Sequence, residues 1–216
     1  MSAQLPLIHI TRPSTLKENA PLLVMLHGYG SDENDLFSFA NELPEELFII
    51  SIRAPYPLQP SGNAWYAINF DADQNKFSDH DQAILSRDLV VKFIEELKVK
   101  FPIDSSNITL IGFSQGSILS YSIALSYPNI VQRVVALSGY LNLDINSNNY
   151  QNNDFSKLKI FASHGTVDQV IPVEWARKTD PILKSLGINS TYKEYPIGHG
   201  VSPQNFFDLK DWLQGK

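Results

Sequence analysis

Seven short apolar runs separated by stretches of helical periodicity constrain this chain more than any other feature. The runs are Leu5–Ile10, Leu22–Leu26, Leu47–Ile52, Ile108–Ile111, Val131–Leu137, Leu158–Ala162 and Thr191–Tyr195. Several are apolar at successive positions, so both faces of the strand need cover. That pattern belongs to a mostly parallel central sheet with helices on both faces. Helices are predicted at Glu33–Leu43, Asp79–Lys100, Gln115–Tyr127, Val173–Leu186 and Pro203–Leu213. In the longest, Ile84, Leu85, Leu89, Phe93, Ile94 and Leu97 recur at spacings of three and four, marking one apolar face, and Pro102 ends it. Ser202 is the expected N-cap of the last, with Pro203 at its first position.

With 216 residues, one domain spanning 1–216 is the expectation. A composition of 43% hydrophobic and 19% charged residues is that of a globular protein. Seventeen Lys and Arg against 23 Asp and Glu leave a net charge of −6 without long single-sign runs, which argues against a nucleic-acid partner. The absence of cysteine excludes disulfides, a thiolate nucleophile and cysteine-built metal sites. No apolar run approaches ~18 residues, and Met1–Thr11 lacks the basic start and apolar core of a signal peptide. The protein is therefore expected to be soluble and cytoplasmic, with no integral membrane contact. Its oligomeric state is left open, a homodimer included.

Two segments resist assignment. Ala54–Phe77 is read as a long irregular stretch in which prolines stand beside Trp65, Tyr66, Phe70 and Phe77. Its aromatic content makes it a candidate wall for an apolar group. Asn142–Asn153 holds six asparagines and is read as a solvated surface connection.

The strand at Ile108–Ile111 runs into Gly112-Phe113-Ser114-Gln115-Gly116, and a helix follows at once. This is G-x-S-x-G in the strand–turn–helix context that gives it chemical meaning. Glycine two residues either side of the serine relieves collisions in a cramped turn that lifts the hydroxyl above the sheet edge. Serine is a weak nucleophile and needs a base, which in turn needs a group to fix its tautomer. Asp168 and His199 follow in the required order, each beyond the carboxyl end of a predicted strand, where separated residues can converge. Glycines on both sides of His199 are expected to let the loop turn the imidazole inward. His27 and His164, each beside a glycine after a strand, are read as loop-fixing residues. Asp144 and Asp154, in or near the asparagine-rich loop, are weaker choices for the acid. The oxyanion hole is expected to combine the N–H of Gln115 with that of Tyr29, in the glycine-flanked turn after Leu22–Leu26.

Leu26-His27-Gly28-Tyr29-Gly30, Gly112-Phe113-Ser114-Gln115-Gly116, His164-Gly165-Thr166-Val167-Asp168 followed by Val170-Ile171-Pro172, and Gly198-His199-Gly200 together resemble the phospholipase/carboxylesterase family of the α/β-hydrolase fold. That family includes the acyl-protein thioesterases and small bacterial carboxylesterases. The resemblance covers nearly the whole chain. It implies Ser114, Asp168 and His199 as triad, Tyr29 and Gln115 as N–H donors, and Trp65 as a residue lining the acyl site. It also implies hydrolysis of small-molecule or lipid acyl esters, thioesters or lysophospholipids, with no cofactor and no metal. Asn142, where relatives often carry proline, and Ala67, where several carry an acid, depart from the family pattern and bear on the shape of the acyl pocket. The alternatives are a non-catalytic or regulatory binding protein on a hydrolase scaffold, and a serine hydrolase of another class, a peptidase or lactonase.

Overall fold

The computed structural model describes residues 5–70 and 76–216, without the side chains of residues 70, 76 and 77, so Phe70 and Phe77 as wall residues lie outside the description. All seven predicted runs enter one seven-stranded sheet: β1 (His9–Arg12), β2 (Ala20–Leu26), β3 (Phe48–Ile52), β8 (Ile103–Phe113), β9 (Arg133–Leu137), β10 (Lys159–Gly165) and β11 (Asn189–Tyr195). Their order is β1-β3-β2-β8-β9-β10-β11, with β1 antiparallel to β3 and every other pairing parallel. β1 begins later than expected. Leu5 and Leu7 are buried outside any strand, and Pro6 between them has no N–H to give a ladder.

Why the strands read as continuous apolar runs is visible in how they divide between two cores. Leu22, Val24 and Leu26 of β2 enter one core, whereas Leu23 and Met25 enter the other; Val134 and Ala136 against Val135 and Leu137 do the same in β9. The larger core is roofed by α2 (His80–Lys100) and α3 (Gln115–Ser126), the smaller by α1 (Asn34–Phe37) and α6 (Pro203–Leu213). Nearly all of α3 is buried, so it shows no polar face.

Asp79 caps α2 by accepting the N–H of Gln82 at 3.0 Å, and Ser202 caps α6 by accepting that of Asn205 at 3.1 Å. The buried stripe of α2 runs through Ala83, Arg87, Val90, Phe93, Ile94 and Leu97, while Leu85 is exposed. The expected face was thus out of phase in its first half. Two predicted helices are broken. Glu33–Leu43 resolves into α1 and a 3-10 turn at Ala40–Glu42, ending where Pro44 forces Leu43 into an extended conformation. Val173–Leu186 divides into α4 (Val173–Arg177) and α5 (Thr179–Ser185), because Pro181 has no N–H to offer the Arg177 carbonyl.

The segment read as irregular contains two small antiparallel pairs, β4 (Tyr56–Pro57) with β5 (Asn63–Ala64) and β6 (Ile68–Phe70) with β7 (Lys76–Ser78). The asparagine-rich stretch is also more than a solvated connection. Ile145 and Tyr150 are buried, and the Ile145 carbonyl accepts from Arg87 Nη1 at 2.8 Å and from Ser122 Oγ at 2.7 Å. These bonds tie the loop down onto α2 and α3.

Candidate active site

Because the strands are parallel, the turns after β2, β8, β9, β10 and β11 lie along one edge of the sheet. Ser114 follows β8, Asp168 follows β10 and His199 follows β11. Ser114 sits between strand and helix with φ +52° and ψ −116°, a conformation that costs about 1–3 kcal/mol and persists only where its surroundings enforce it. The enforcement is steric and hydrogen-bonded. Ser114 N–H donates to Leu137 O at 2.8 Å, and its carbonyl accepts from Ile118 N–H at 3.1 Å. A Cβ on Gly112 would lie 2.4 Å from Gly116 O, and one on Gly116 would lie 2.1 Å from Leu26 O. The second collision is with the neighbouring strand β2 rather than with the serine's own strand.

His199 Nε2 lies 2.9 Å from Ser114 Oγ, and its Nδ1 lies 2.7 Å from Asp168 Oδ2. Asp168 Oδ1 accepts the N–H groups of Val170 and Ile171 at 2.8 and 3.0 Å. Burial works to raise the Asp168 pKa, but the hydrogen bonds from His199, Ile171 and Val170 together outweigh it and hold the carboxyl below its ordinary value. An ionised carboxylate on Nδ1 keeps the Nδ1–H tautomer and leaves Nε2 free to accept from the serine. Neither Gly198 nor Gly200 has a positive φ or a crowded Cβ position. The expectation that glycine is needed there to turn His199 inward therefore finds no steric basis.

The other histidines do as expected of loop-fixing residues, and one does more. His27 is buried and donates through Nδ1 to Gly28 O at 2.7 Å, while its Nε2 accepts Ala54 N–H at 3.0 Å. Burial pushes its pKa down, consistent with a neutral ring that accepts at one nitrogen. His164 donates through Nε2 to Ile171 O at 2.8 Å and also approaches Asp168 Oδ2 at 3.2 Å, the same carboxylate oxygen that His199 contacts.

Above the serine opens a cavity of about 770 Å³, lined by Ser114, His199, Tyr29 and Gln115 and by a largely apolar wall. Tyr66 and Ile68 contribute to that wall, as the aromatic segment led us to expect. Trp65 does not. Its side chain is fully buried in the main core, with the indole N–H donating to His27 O at 2.9 Å, so it stands behind the wall rather than in it. Residues that the sequence reading missed complete the lining: Leu141 just before the asparagine-rich loop and Leu143 within it, and Ile171, Trp175 and Ile182 from the chain after Asp168. Trp175, on α4, is 47% exposed and edge-on to Tyr140 at 5.0 Å, an exposure that only the folded chain reveals. Asp144 lies at this cavity, whereas Asp154 is exposed and lies elsewhere. Among the described residues, no group of three or more His, Asp or Glu side chains is placed to hold a metal ion, and no helix is long and apolar enough to cross a membrane.

The phospholipase/carboxylesterase family model matches residues 10–215. The chain belongs to that family. As a phospholipase/carboxylesterase family member it is a serine hydrolase, and its mostly parallel sheet with flanking helices is the α/β-hydrolase fold. It is 27% identical to a mouse lysophospholipase-like protein 1 over 99% of this chain and 95% of that one. It is 30% identical to an acyl-protein thioesterase 1 of Emericella nidulans, over 92% and 91%. Among solved structures, esterase PE8 superposes with a TM-score of 0.84 at 22% identity, covering 97% of this chain and 98% of that one. The Bacillus cereus carboxylesterase gives the same score at 20% identity, over 97% and 94%. These structural likenesses speak to the fold.

Proposed function

We propose that the protein hydrolyses carboxylic acyl esters through an acyl-enzyme on Ser114, with His199 as general base and acid and Asp168 as its orienting carboxylate. The observation that carries this reading is the unbroken hydrogen-bonded line Asp168–His199–Ser114 at the floor of an apolar cavity. Ser114 Oγ attacks the acyl carbon as its proton passes to His199 Nε2. The oxyanion is held by the N–H groups of Tyr29 and Gln115, which donate to no other group among the described residues. The imidazolium gives the proton to the departing alcohol or thiol. Water, deprotonated by the same imidazole, then releases the acid.

The substrate is an acyl ester whose chain lies against Tyr66, Ile68, Ile118, Leu141 and Ile182, since an apolar wall is worth about 0.8 kcal/mol per methylene buried. Thioesters and lysophospholipids fit the same chemistry, as the names of the relatives lead one to expect. The test is Ser114→Ala with 4-nitrophenyl butyrate. Turnover is expected to fall by at least about a thousandfold, and labelling by a fluorophosphonate probe to disappear. Retention of most of the activity by the purified variant overturns the assignment.

A further inference from the structure

Asn63–Tyr66 touches both halves of the proposed oxyanion hole at backbone level. On the Tyr29 side, Gly30 N–H donates to Asn63 O at 2.9 Å and Asn63 N–H donates to Ser31 O at 2.8 Å. Two residues on, the Trp65 indole N–H donates to His27 O at 2.9 Å. The turn that presents Tyr29 is therefore held before and after that residue by one short piece of chain. On the Gln115 side, the Gln115 side chain accepts Trp65 N–H at 2.8 Å and donates to Tyr66 O at 2.7 Å. Ser86 of α2 fixes the remaining carbonyl by donating to Trp65 O. Approach is close enough on the Tyr29 side that a Cβ on Gly62 would lie 2.1 Å from Gly30 O.

We infer that Asn63–Tyr66 is a strap that sets the spacing of the two oxyanion donors, with Trp65 and Gln115 as positioning residues. The physical reason is that the two N–H groups belong to different turns, after β2 and after β8, whose strands run side by side, and Asn63–Tyr66 is bonded to both turns. Donors must meet an oxygen that exists only in the tetrahedral intermediate, within about 2.7–3.1 Å of both. A misplacement of about 1 Å costs on the order of a hundredfold in rate. The Trp65 and Gln115 bonds of the strap are made by buried groups: Trp65 is fully buried and Gln115 nearly so. Tyr66, the next residue, lines the cavity, so donor spacing and acyl wall are built from the same piece of chain. The amide of Gln115 thus has a second use, distinct from that of its backbone N–H.

The inference rests on the acyl-transfer reading above, and the experiment separates the two. Trp65→Phe keeps an aromatic ring and removes the indole donor; Gln115→Met keeps the volume and removes both side-chain bonds. Each is compared with the unaltered protein in kcat and KM for 4-nitrophenyl butyrate, in melting temperature, and in inhibition by an alkyl trifluoromethyl ketone. That probe captures Ser114 Oγ at its carbonyl carbon, the hydroxyl proton passing to His199, and leaves an anionic oxygen where the donors converge. The expected result is a fall of about tenfold or more in kcat, with KM within about twofold and the ketone's inhibition constant rising by the same factor as kcat falls. Loss of packing alone would lower the melting temperature without that matched change. Folded variants with kcat and ketone inhibition within about twofold of the parent overturn the strap. Ser86→Ala, which removes one anchor and leaves the rest of α2 intact, carries the same comparison where either larger change prevents folding, a matched loss of about threefold supporting the strap and no change overturning it. If the unaltered protein hydrolyses the ester independently of Ser114, it is the acyl-transfer reading that fails.

Discussion

Replacing Gly116 by alanine probes how far the reactive geometry depends on one close backbone contact. The new Cβ would stand 2.1 Å from Leu26 O and 2.7 Å from His27 O, where real Cβ contacts stay beyond 3.0 Å, so the turn must move by about 0.9 Å. Neither obstacle is the flexible end of a side chain. Both are backbone carbonyls at the carboxyl end of β2, which is paired on both sides in the middle of the sheet. The helix start therefore gives way, carrying Ser114 and the N–H of Gln115 with it. Overpacking of this kind costs about 1–3 kcal/mol, which in a protein of this size lowers the melting temperature by roughly 2–12 °C. A displacement near 1 Å at the reacting atoms costs on the order of a hundredfold in kcat. Gly116→Ala is thus expected to remain folded, by far-ultraviolet circular dichroism, while kcat for a short-chain ester falls about a hundredfold. Gly198→Ala, whose Cβ meets nothing within 4 Å, is the matched comparison and should stay within about threefold of the parent. If Gly116→Ala keeps more than half of the parental kcat, the turn tolerates movement and the argument from steric enforcement is wrong.

Two further outcomes are expected from the same structure. Ile118→Phe, on α3 in the cavity wall, should leave butyrate hydrolysis nearly unchanged and reduce kcat/KM for a long-chain ester by about tenfold, read from a chain-length series. Acid sensitivity should follow from depressed carboxyl groups: Asp168 as described, Glu33 through its hydrogen bonds from Arg53, and Glu194 through those from Arg177. A carboxyl lowered on folding stabilises the native state at neutral pH and loses that contribution as protonation sets in. The melting temperature should therefore fall between about pH 5 and about pH 2, and a flat profile there would contradict the assigned pairs.

Strand existence was legible along the chain, and all seven runs enter strands; in the interior strands burial on both faces of a parallel sheet writes itself as consecutive apolar residues, whereas the edge strands β1 and β11 are only partly buried. Helix continuity was less legible. Pro181 and Pro44 act through one missing donor and one forced extended residue, local effects that periodicity over a dozen residues averages away. The phase error on α2 has a different origin: Leu85 is apolar yet faces solvent, while Arg87 is charged yet buried, its guanidinium reaching the Ile145 carbonyl.

By itself, then, the amino-acid order determined the sheet, the strand–turn–helix at Ser114 and the order in which serine, carboxylate and imidazole follow the strands, since strand direction alone brings those chain positions to one edge. Only the tertiary structure decided what walls the cavity, because Leu141 from a loop, Trp175 from α4 and Ile182 from α5 meet there through packing that no local periodicity encodes. It also decided the place of Trp65. The family resemblance implied a tryptophan lining the acyl site, yet its indole N–H needs a buried acceptor, and the carbonyl that satisfies it, His27 O, lies 38 residues away in sequence and next to the turn that presents Tyr29.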